Sequence, residues 1–176
     1  FDLVYLVQQD YKSSRPYSVI PNHFCEQNFR LNYGPDIDRV NFIGTLNARK
    51  GIIDVLDLAT RLKIFDFNFF GKSENPSLDA KIKEMGHTRY FGQIPKPYAG
   101  LMVGEIFISL SSVEGLQRSL VEAMFMGCLV LGYKRADTLS INALHGVFLV
   151  ERGDMNQLVK ILNEIKRIPV DQRLAL

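Results

Sequence analysis

The chain has 176 residues, 47% of them hydrophobic and 23% charged, with a formal net charge of +2, and this length has room for one core of ordinary domain size. We expect no transmembrane helix in this sequence, because no apolar run approaches the roughly 18 residues that a span requires. The small net charge does not support nucleic-acid binding, which needs a clustered basic face. Two isolated cysteines, Cys25 and Cys128, indicate neither a disulfide framework nor a zinc site, so a reducing compartment fits better.

The chain starts at Phe1 rather than at a methionine, and its first residues lack the charged start and the cleavage site of a signal peptide. We therefore expect it to be cut from a longer protein, with residues 1–17 as a remnant of an upstream domain or a linker. The main domain is expected at residues 18–167, and a truncated tail at 168–176. His23 lies two residues from Cys25, but no further cysteine or histidine cluster accompanies them, so we expect no metal site.

Short apolar runs rich in β-formers predict six strands, at residues 39–46, 66–70, 88–91, 105–109, 129–131 and 146–150. Helical patterns lie between them. Apolar residues from Ile52 to Leu62 recur at helical spacing, a short helix is expected at 78–85, and Asp154 is the expected N-cap of a last helix that ends near Arg167. Strands that alternate with helices are typical of a parallel sheet covered on both faces, so we predict a Rossmann-like α/β fold.

The loop at 44–51 joins the end of the first strand to the start of the first helix. It contains Gly44-Thr45-Leu46 and, further on, Arg49-Lys50-Gly51. Because ligands of open α/β sheets bind at the carboxyl ends of the strands, this loop and the loop at 110–116 are expected to face one crevice. The alternative for Lys50 is a solvated lysine at a helix start, which the helix dipole slightly disfavours.

The most informative segment covers residues 109–132 and is expected to form a strand, a tight loop, a helix and a strand. The helix is expected to begin near Leu116 and to end at Gly127. Its first N–H groups have no intrahelical partner and the helix dipole favours anions there, so a phosphate is a natural ligand. Glu114 lies in the loop and Glu122 about 9 Å further along the helix axis. That separation suits carboxylates that accept hydrogen bonds from sugar hydroxyls on either side of a phosphate.

The two glutamates, the run Glu122-Ala123-Met124, Gly127 and the apolar strand behind it resemble the Glu-x7-Glu segment of the retaining family 4 glycosyltransferases. In that family the segment belongs to the donor-binding C-terminal half of the GT-B fold. The resemblance covers roughly residues 18–166. Lys50-Gly51 matches the family's Lys-Gly pair, and residues 88–94 resemble the strand and glycine turn against which the nucleotide base rests.

Several positions depart from the family pattern. Thr45 stands where the family usually has an arginine, and Arg49 is the nearest stand-in. Gln117-Arg118 replaces the usual glycine and apolar residue, and His23 replaces the glycine of an Ile-Pro-Asn-Gly turn. The segment 71–73 has lost the second glycine of a Gly-x-Gly loop.

The resemblance implies a nucleotide-sugar-binding domain of a hexosyltransferase-type enzyme, which transfers a sugar from a nucleotide-diphosphate sugar to a glycan or lipid-linked acceptor with retention. It implies Lys50 and Glu114 as the catalytic residues. Lys50, with Arg49 or Arg118 and the helix start, would neutralise the diphosphate, while Glu114 orients the sugar and Glu122 the ribose. The implied substrate-binding residues are Gly44, Thr45, Arg49, Lys50, Phe91, Gly92, Gln93, Ile94, Glu114, Gly115, Leu116, Gln117, Arg118 and Glu122.

The resemblance also implies that no metal ion is needed and that no cofactor is present beyond the donor substrate. The acceptor side would come from a missing N-terminal domain, so the fragment alone is expected to be inactive. The family's habits further imply polysaccharide biosynthesis and a cytoplasmic location, with peripheral attachment to the inner face of the membrane through the missing domain.

Two other interpretations of the whole chain stay open. The first is a non-catalytic or split-enzyme partner module that binds a nucleotide sugar, which the departures at Thr45 and Gln117 favour. The second is an unrelated doubly wound domain in which Glu114 and Glu122 are surface residues.

Single positions have alternatives as well. An aromatic residue in a strand, such as Phe91, usually belongs to the core, and Arg118 could equally point to solvent. Lys134 and Arg135, which follow the fifth strand, either contact the donor or are solvated.

Overall fold

The structure, a computed structural model, describes residues 29–34, 37–114, 117–135, 138 and 141–174. Six strands form one sheet, in which every hydrogen-bonded pair is parallel. They are β1 (Arg39–Ile43), β2 (Asp66–Phe70), β3 (Thr88–Gly92), β4 (Ile106–Ser109), β5 (Leu129–Tyr133) and β6 (Val147–Val150). Their order across the sheet is β3-β2-β1-β4-β5-β6. The predicted Rossmann-like α/β fold is therefore confirmed.

The described helices are α1 (Ile52–Arg61), α2 (Pro76–Glu84), α3 (Arg118–Phe125), α4 (Met155–Arg167) and α5 (Val170–Arg173). Two of them, α2 and α4, start at a side chain that satisfies one of their first backbone N–H groups. Before α2, the Asn75 side chain accepts a 3.0 Å hydrogen bond from the backbone N–H of Ser77. Asp154 accepts a 2.9 Å hydrogen bond from the backbone N–H of Gln157, which confirms the predicted N-cap of α4.

Among the elements that differ from their predicted bounds, two border the predicted ligand loops. β1 ends at Ile43 rather than at Leu46, because the chain turns toward the end of β2 and Leu46 keeps only an isolated bridge to Ser73. Helix α3 begins at Arg118 rather than near Leu116, because Gln117 keeps an extended backbone and serves as the N-cap position. Gly127, with a φ of 74°, ends that helical segment as predicted.

Apolar side chains on the two faces of the sheet form two core layers. On one face Val40 of β1 packs in a cluster with Val55 of α1 and Leu158 of α4. On the other face Phe107 of β4 packs in a cluster with Leu120 of α3. Both faces of the sheet are therefore covered, and the loops at its carboxyl edge are left accessible to a ligand.

The segment after α4 packs against the start of β1. The buried side chain of Arg173 donates to the carbonyl oxygen of Ile37 at 3.2 Å and to Oδ1 of Asp38 at 2.8 Å. Lys166 of α4 also forms an ion pair with Asp38. These contacts hold α5 on the domain, within the region predicted to be a truncated tail.

The predicted remnant at 1–17, together with His23 and Cys25, lies outside the described residues. Cys128 is buried with a free thiol. No helix in the described part of the chain combines the length and the hydropathy that crossing a membrane takes.

Candidate functional site

A cleft of about 390 Å³ opens at the carboxyl ends of β1, β2 and β3. It is lined by Ile43, Gly44, Thr45, Phe70, Gly71, Lys72, Gln93, Ile94 and Pro97. Four of the predicted substrate-binding residues therefore meet here, two from the loop after β1 (Gly44 and Thr45) and two from the turn after β3 (Gln93 and Ile94). A volume of this size lies within the usual range for small-molecule sites.

Main-chain contacts hold the walls of this cleft together. A Cβ atom built on Gly71, whose φ is +136°, would lie only 2.0 Å from the carbonyl oxygen of Gly44, so the loops after β1 and β2 touch at a position that needs glycine. The N–H of Gly71 donates to the carbonyl oxygen of Gly92 at 2.8 Å, and the N–H of Leu46 donates to that of Lys72 at 2.8 Å. The three loops are therefore joined into one backbone frame.

Phe91 is not among the residues that line the cleft, but it packs on one of them, Phe70. Its ring stacks on the ring of Phe70 with centroids 4.6 Å apart and an interplanar angle of 8°. Phe70 lines the cleft, whereas Phe91 is 46% exposed. Phe91 is therefore not the core aromatic residue that its place in a strand suggested, and its ring is available to a planar ligand.

Lys50 and Glu114 form an ion pair between the loop after β1 and the acid loop, by which we mean residues 110–117 between β4 and α3. Both side chains are largely buried, with exposed fractions of 18% and 11%. The N–H of Ser112 donates to the carbonyl oxygen of Arg49 at 2.9 Å, which ties the same two loops together. The two loops are therefore in contact, and Lys50 is not a solvated lysine. Neither Lys50 nor Glu114 is among the residues that line the cleft, so a single crevice shared by both loops stays a prediction.

The electrostatics of this pair favour an ionised Glu114. Burial alone would raise the pKa of Glu114, but hydrogen bonds from Lys50 and Ser111 and the positive charges of Lys50 and Arg49 outweigh it. The pKa of this carboxyl is therefore held below its usual value, and Glu114 is a pure hydrogen-bond acceptor at neutral pH.

Helix α3 carries Arg118 and Glu122, and its first turn lies against the carboxyl end of β1. The hydroxyl of Ser119 donates to the carbonyl oxygen of Ile43 at 3.2 Å, which fixes the first turn of α3 against the end of β1. Glu122 follows Ser119 by three residues and so shares its helix face. It is 13% exposed, and its Oε1 lies 3.6 Å from Nη2 of the exposed Arg118. Burial raises the pKa of Glu122, and the charge of Arg118 offsets only part of that effect.

Gln117 is buried at the N-cap position of α3, and its side chain forms hydrogen bonds with two serines. Its Oε1 accepts a 2.5 Å hydrogen bond from the hydroxyl of Ser109, and its amide donates to the hydroxyl of Ser119 at 3.3 Å. The side chain that replaces the family's glycine thus fills space beneath the acid loop. Gly115 and Leu116, the other predicted binding residues of this loop, lie outside the described residues.

Sequence reasoning missed the role of Arg135. Its Nη1 donates to the hydroxyl of Ser109 at 3.2 Å and to the carbonyl oxygen of Ser111 at 3.2 Å, and its Nη2 donates to Oε1 of Gln117 at 3.3 Å. Arg135 therefore anchors the acid loop, a use that neither donor contact nor solvation describes. The available signal was its position just after β5, the strand that pairs with β4.

The structure also gives positions for two lysines, Lys134 and Lys72, whose roles the sequence left open. Lys134 forms a 2.8 Å ion pair with Glu151 at the surface. Lys72, which the sequence placed only in a turn, lines the cleft next to Thr45. Among the described residues, no group of three or more His, Cys, Asp or Glu side chains is arranged to hold a metal ion.

The sheet order and the loops gathered at its carboxyl edge are those of a GT-B glycosyltransferase domain. Residues 38–166 match the family described as glycosyl transferases group 1, so the chain belongs to that family. No curated protein sequence matches the chain.

Solved structures with the same fold include HepE of Anabaena in complex with UDP and glucose, with a TM-score of 0.64 and 20% identity over 78% of this chain and 40% of HepE. A variant of S. aureus TarM in a complex that contains UDP gives a TM-score of 0.64 and 17% identity, over 82% of this chain and 31% of TarM. WaaG, a glycosyltransferase involved in lipopolysaccharide biosynthesis, gives a TM-score of 0.63 and 15% identity, over 78% of this chain and 40% of WaaG. The chain thus spans well under half of each of these proteins, and at these identities the likeness shows the fold.

Proposed function

We propose that this chain is the donor-binding half of a retaining glycosyltransferase, which transfers a sugar from a nucleotide-diphosphate sugar to a glycan or lipid-linked acceptor. The observation that carries the proposal is the partly buried Lys50–Glu114 pair, which joins the loops after β1 and β4 at the carboxyl edge of the sheet. A cation and an ionised acid at that edge, beside a cleft of ligand size, match a ligand that carries both a diphosphate and a sugar.

The diphosphate would lie between Lys50 and the first turn of α3. The first N–H groups of a helix attract anions, and the lysine adds a full positive charge. As the bond between the sugar and the diphosphate breaks, negative charge grows on the leaving diphosphate. Groups that are already placed there stabilise this charge more in the transition state than in the ground state, and so they accelerate the transfer.

The two glutamates would bind the two sugars of the donor. Glu114 is held ionised, so it accepts hydrogen bonds from the hydroxyls of the transferred sugar. Glu122, one turn inside α3 and 13% exposed, would accept from the ribose hydroxyls. A ligand that donates two hydrogen bonds to Glu122 compensates for the burial that raises its pKa.

The base would rest at the turn after β3. Phe91 offers an exposed aromatic face, and Gly92, with a φ of 68°, gives a turn in which the backbone can approach a planar ring. HepE and TarM were both solved in complexes that contain UDP, so UDP is the first nucleotide to test.

The same proposal has three further parts. An N-terminal domain binds the acceptor, that domain attaches the enzyme to a membrane, and the transfer needs no metal ion. A second candidate is a nucleotide-sugar-binding partner without catalysis. It is favoured by Thr45, which removes the arginine expected at the diphosphate, and by Gln117, whose side chain is used inside the protein.

Calorimetry on the complete protein tests the proposal, with UDP, GDP and TDP and their glucose conjugates as ligands. Glu122→Ala is expected to weaken the binding of the preferred nucleoside diphosphate about tenfold, because the ribose hydroxyls lose their acceptor. Glu114→Ala is expected to weaken the binding of the sugar nucleotide by a similar factor but not that of the free diphosphate, because Lys50 loses its carboxylate partner and stays available to the phosphates. Glu164→Ala is the matched control, because Glu164 is also paired with a cation four residues earlier on its helix but lies on the exposed face of α4.

The absence of binding by every nucleotide at millimolar concentration would overturn the proposal. An equal loss for both ligands in Glu114→Ala would overturn the assignment of that residue to the transferred sugar. Binding of the sugar nucleotide without transfer to any acceptor, in the complete protein, would favour the non-catalytic candidate.

A further inference from the structure

Three cations near the acid loop, Lys50, Arg49 and Arg118, lie close to acids. Lys50 is paired with Glu114, and the charge of Arg49 also acts on Glu114. Arg118 is 3.6 Å from Glu122. A diphosphate at this side of the crevice therefore has to share each of these three cations with a carboxylate that is already there.

The cleft after β1, β2 and β3 has a different charge. Of the residues that line it, Lys72 alone carries a charged side chain. In the described part of the chain no carboxylate lies within ion-pair distance of Lys72, and the nearby Glu74 instead accepts a 3.1 Å hydrogen bond from the Asn47 amide. This cleft is thus a positively charged, otherwise neutral site, complementary to an anionic ligand.

The backbone of Lys72 is fixed from both sides, so its side chain starts from a defined place in the wall of the cleft. Its carbonyl oxygen accepts from the N–H of Leu46 at 2.8 Å, and the next residue, Ser73, bridges to Leu46. On the other side, the carbonyl oxygen of Gly71 accepts from the hydroxyl of Tyr90 at 3.1 Å. From that place the flexible four-carbon stem lets the ammonium group adjust to a phosphate bound in the cleft.

We propose that Lys72 binds the diphosphate of the nucleotide sugar and supplies the positive charge that Thr45 does not. Thr45 and Lys72 line the same cleft from two loops that touch through Gly44 and Gly71. A cation on the second loop therefore reaches the ligand position that a cation on the first would serve. This inference rests on the proposed function, because it assigns a further residue to the same donor site.

The test is calorimetry of UDP binding to the complete protein and to its variants at low and high salt. Lys72→Met is expected to weaken UDP binding about tenfold at low salt, and by a smaller factor at high salt, since screening already weakens the charge interaction there. Lys72→Arg is expected to keep the affinity within about twofold, because it keeps the charge. Lys63→Met is the matched control, because Lys63 is exposed in the turn before β2, at the opposite edge of the sheet.

A rescue experiment sharpens the assignment. In the Lys72→Met background, Thr45→Arg returns a cation to the cleft from the neighbouring loop and is expected to recover most of the lost affinity. Thermal unfolding of each variant checks that the fold is intact.

The outcomes separate this inference from the proposed function. If the unmodified protein binds no nucleoside diphosphate, the proposed function fails, and this assignment fails with it. If the unmodified protein binds UDP while Lys72→Met binds it equally well, the proposed function stands and the assignment of Lys72 is overturned. Equal losses in Lys72→Met and Lys72→Arg, or a loss that does not change with salt, would also overturn it, because a charge contact gives neither result.

Discussion

The cleft after β1, β2 and β3 is shaped by main chain, whereas the acid loop between β4 and α3 is held in place by side chains. In the cleft, Gly71 lies against Gly44 and donates to Gly92, so the walls are backbone against backbone. At the acid loop, Arg135, which follows β5, and Gln117 bond to Ser109 of β4, to Ser111 and to Ser119 of α3.

The difference teaches which substitutions each side tolerates. A main-chain wall depends on glycine where the backbone is crowded and accepts most side chains elsewhere. A side-chain network fails when any one member is removed, because buried polar partners are left unsatisfied. Thr45 lies in the main-chain wall, which accepts the change from the usual arginine. Gln117 is buried in the side-chain network, where its amide is hydrogen-bonded.

Gly71→Ala is expected to have the largest effect, because it breaks the main-chain side. The added Cβ would lie 2.0 Å from the carbonyl oxygen of Gly44 at a φ of +136°, so the two loops must separate. We expect a loss of about 3 kcal/mol in the free energy of unfolding, from backbone strain and overlap together. Urea denaturation measures it.

Gly86→Ala is the control for that prediction, since a Cβ on Gly86 meets no heavy atom within 4 Å. A surface change of this kind is expected to stay within about 0.5 kcal/mol. Equal losses at positions 71 and 86 would contradict the view that close contact between the loops shapes the cleft.

Arg135→Met is expected to disrupt the side-chain network at the acid loop. We expect a loss of about 2 kcal/mol in the free energy of unfolding, because hydrogen bonds from a charged group to the buried Gln117 and Ser109 disappear. Hydrogen exchange should accelerate in the peptide that covers residues 109–117 and stay unchanged in the peptide that covers β3. Lys134→Met, which removes only a surface ion pair with Glu151, should leave both peptides as they were. An unchanged rate at 109–117 would show that Arg135 does not anchor the acid loop.

The sheet was predictable because its strands are short apolar runs that alternate with helices, and because β4 and β5 are buried along their whole length. The end of β1 was not. Leu46 continues the apolar run, but the strand stops at Ile43 because Gly71 draws the chain aside at Gly44. That contact joins residues 27 positions apart, and no local pattern reports it.

The position of the candidate site was predictable from the rule that places ligands at the carboxyl ends of parallel strands. The pairing of Lys50 with Glu114 was not predictable, because the two residues lie 64 positions apart and each sequence pattern accounts for only one of them. Arg135 was missed for a similar reason. An arginine after a strand looks solvated until the sheet order places β5 beside β4.

The two glutamates are expected to respond to pH in opposite directions. The pKa of Glu114 is lowered in the folded state, so the unfolded state binds more protons in the acid range. Its stabilising contribution is present above the unfolded pKa of about 4.3 and is lost as the pH falls through the folded pKa. Glu114→Gln is therefore less stable than the parent at pH 7, and the difference vanishes on acidification.

The pKa of Glu122 is raised in the folded state, so its contribution is complete below the unfolded pKa of about 4.3 and is lost as the pH rises through the folded pKa. Glu122→Gln should be at least as stable as the parent at pH 7, and that advantage should shrink on acidification. Urea denaturation of both variants from pH 3 to pH 7 gives the two slopes. Slopes of the same sign would contradict the assignment of these two environments.

Phe91→Leu is expected to have the smallest effect on stability, at most about 1 kcal/mol. It removes a ring that is 46% exposed and that contributes a single stacked contact with Phe70. Binding should respond more than folding does, because the ring would lose its face to the nucleotide base while the main-chain frame stays in place. Phe91→Tyr keeps the ring and should retain the affinity for UDP, measured by calorimetry beside Phe91→Leu. If both variants bind as the parent does, the base rests on the backbone of the turn alone, and the main-chain character of this side extends to its ligand contacts.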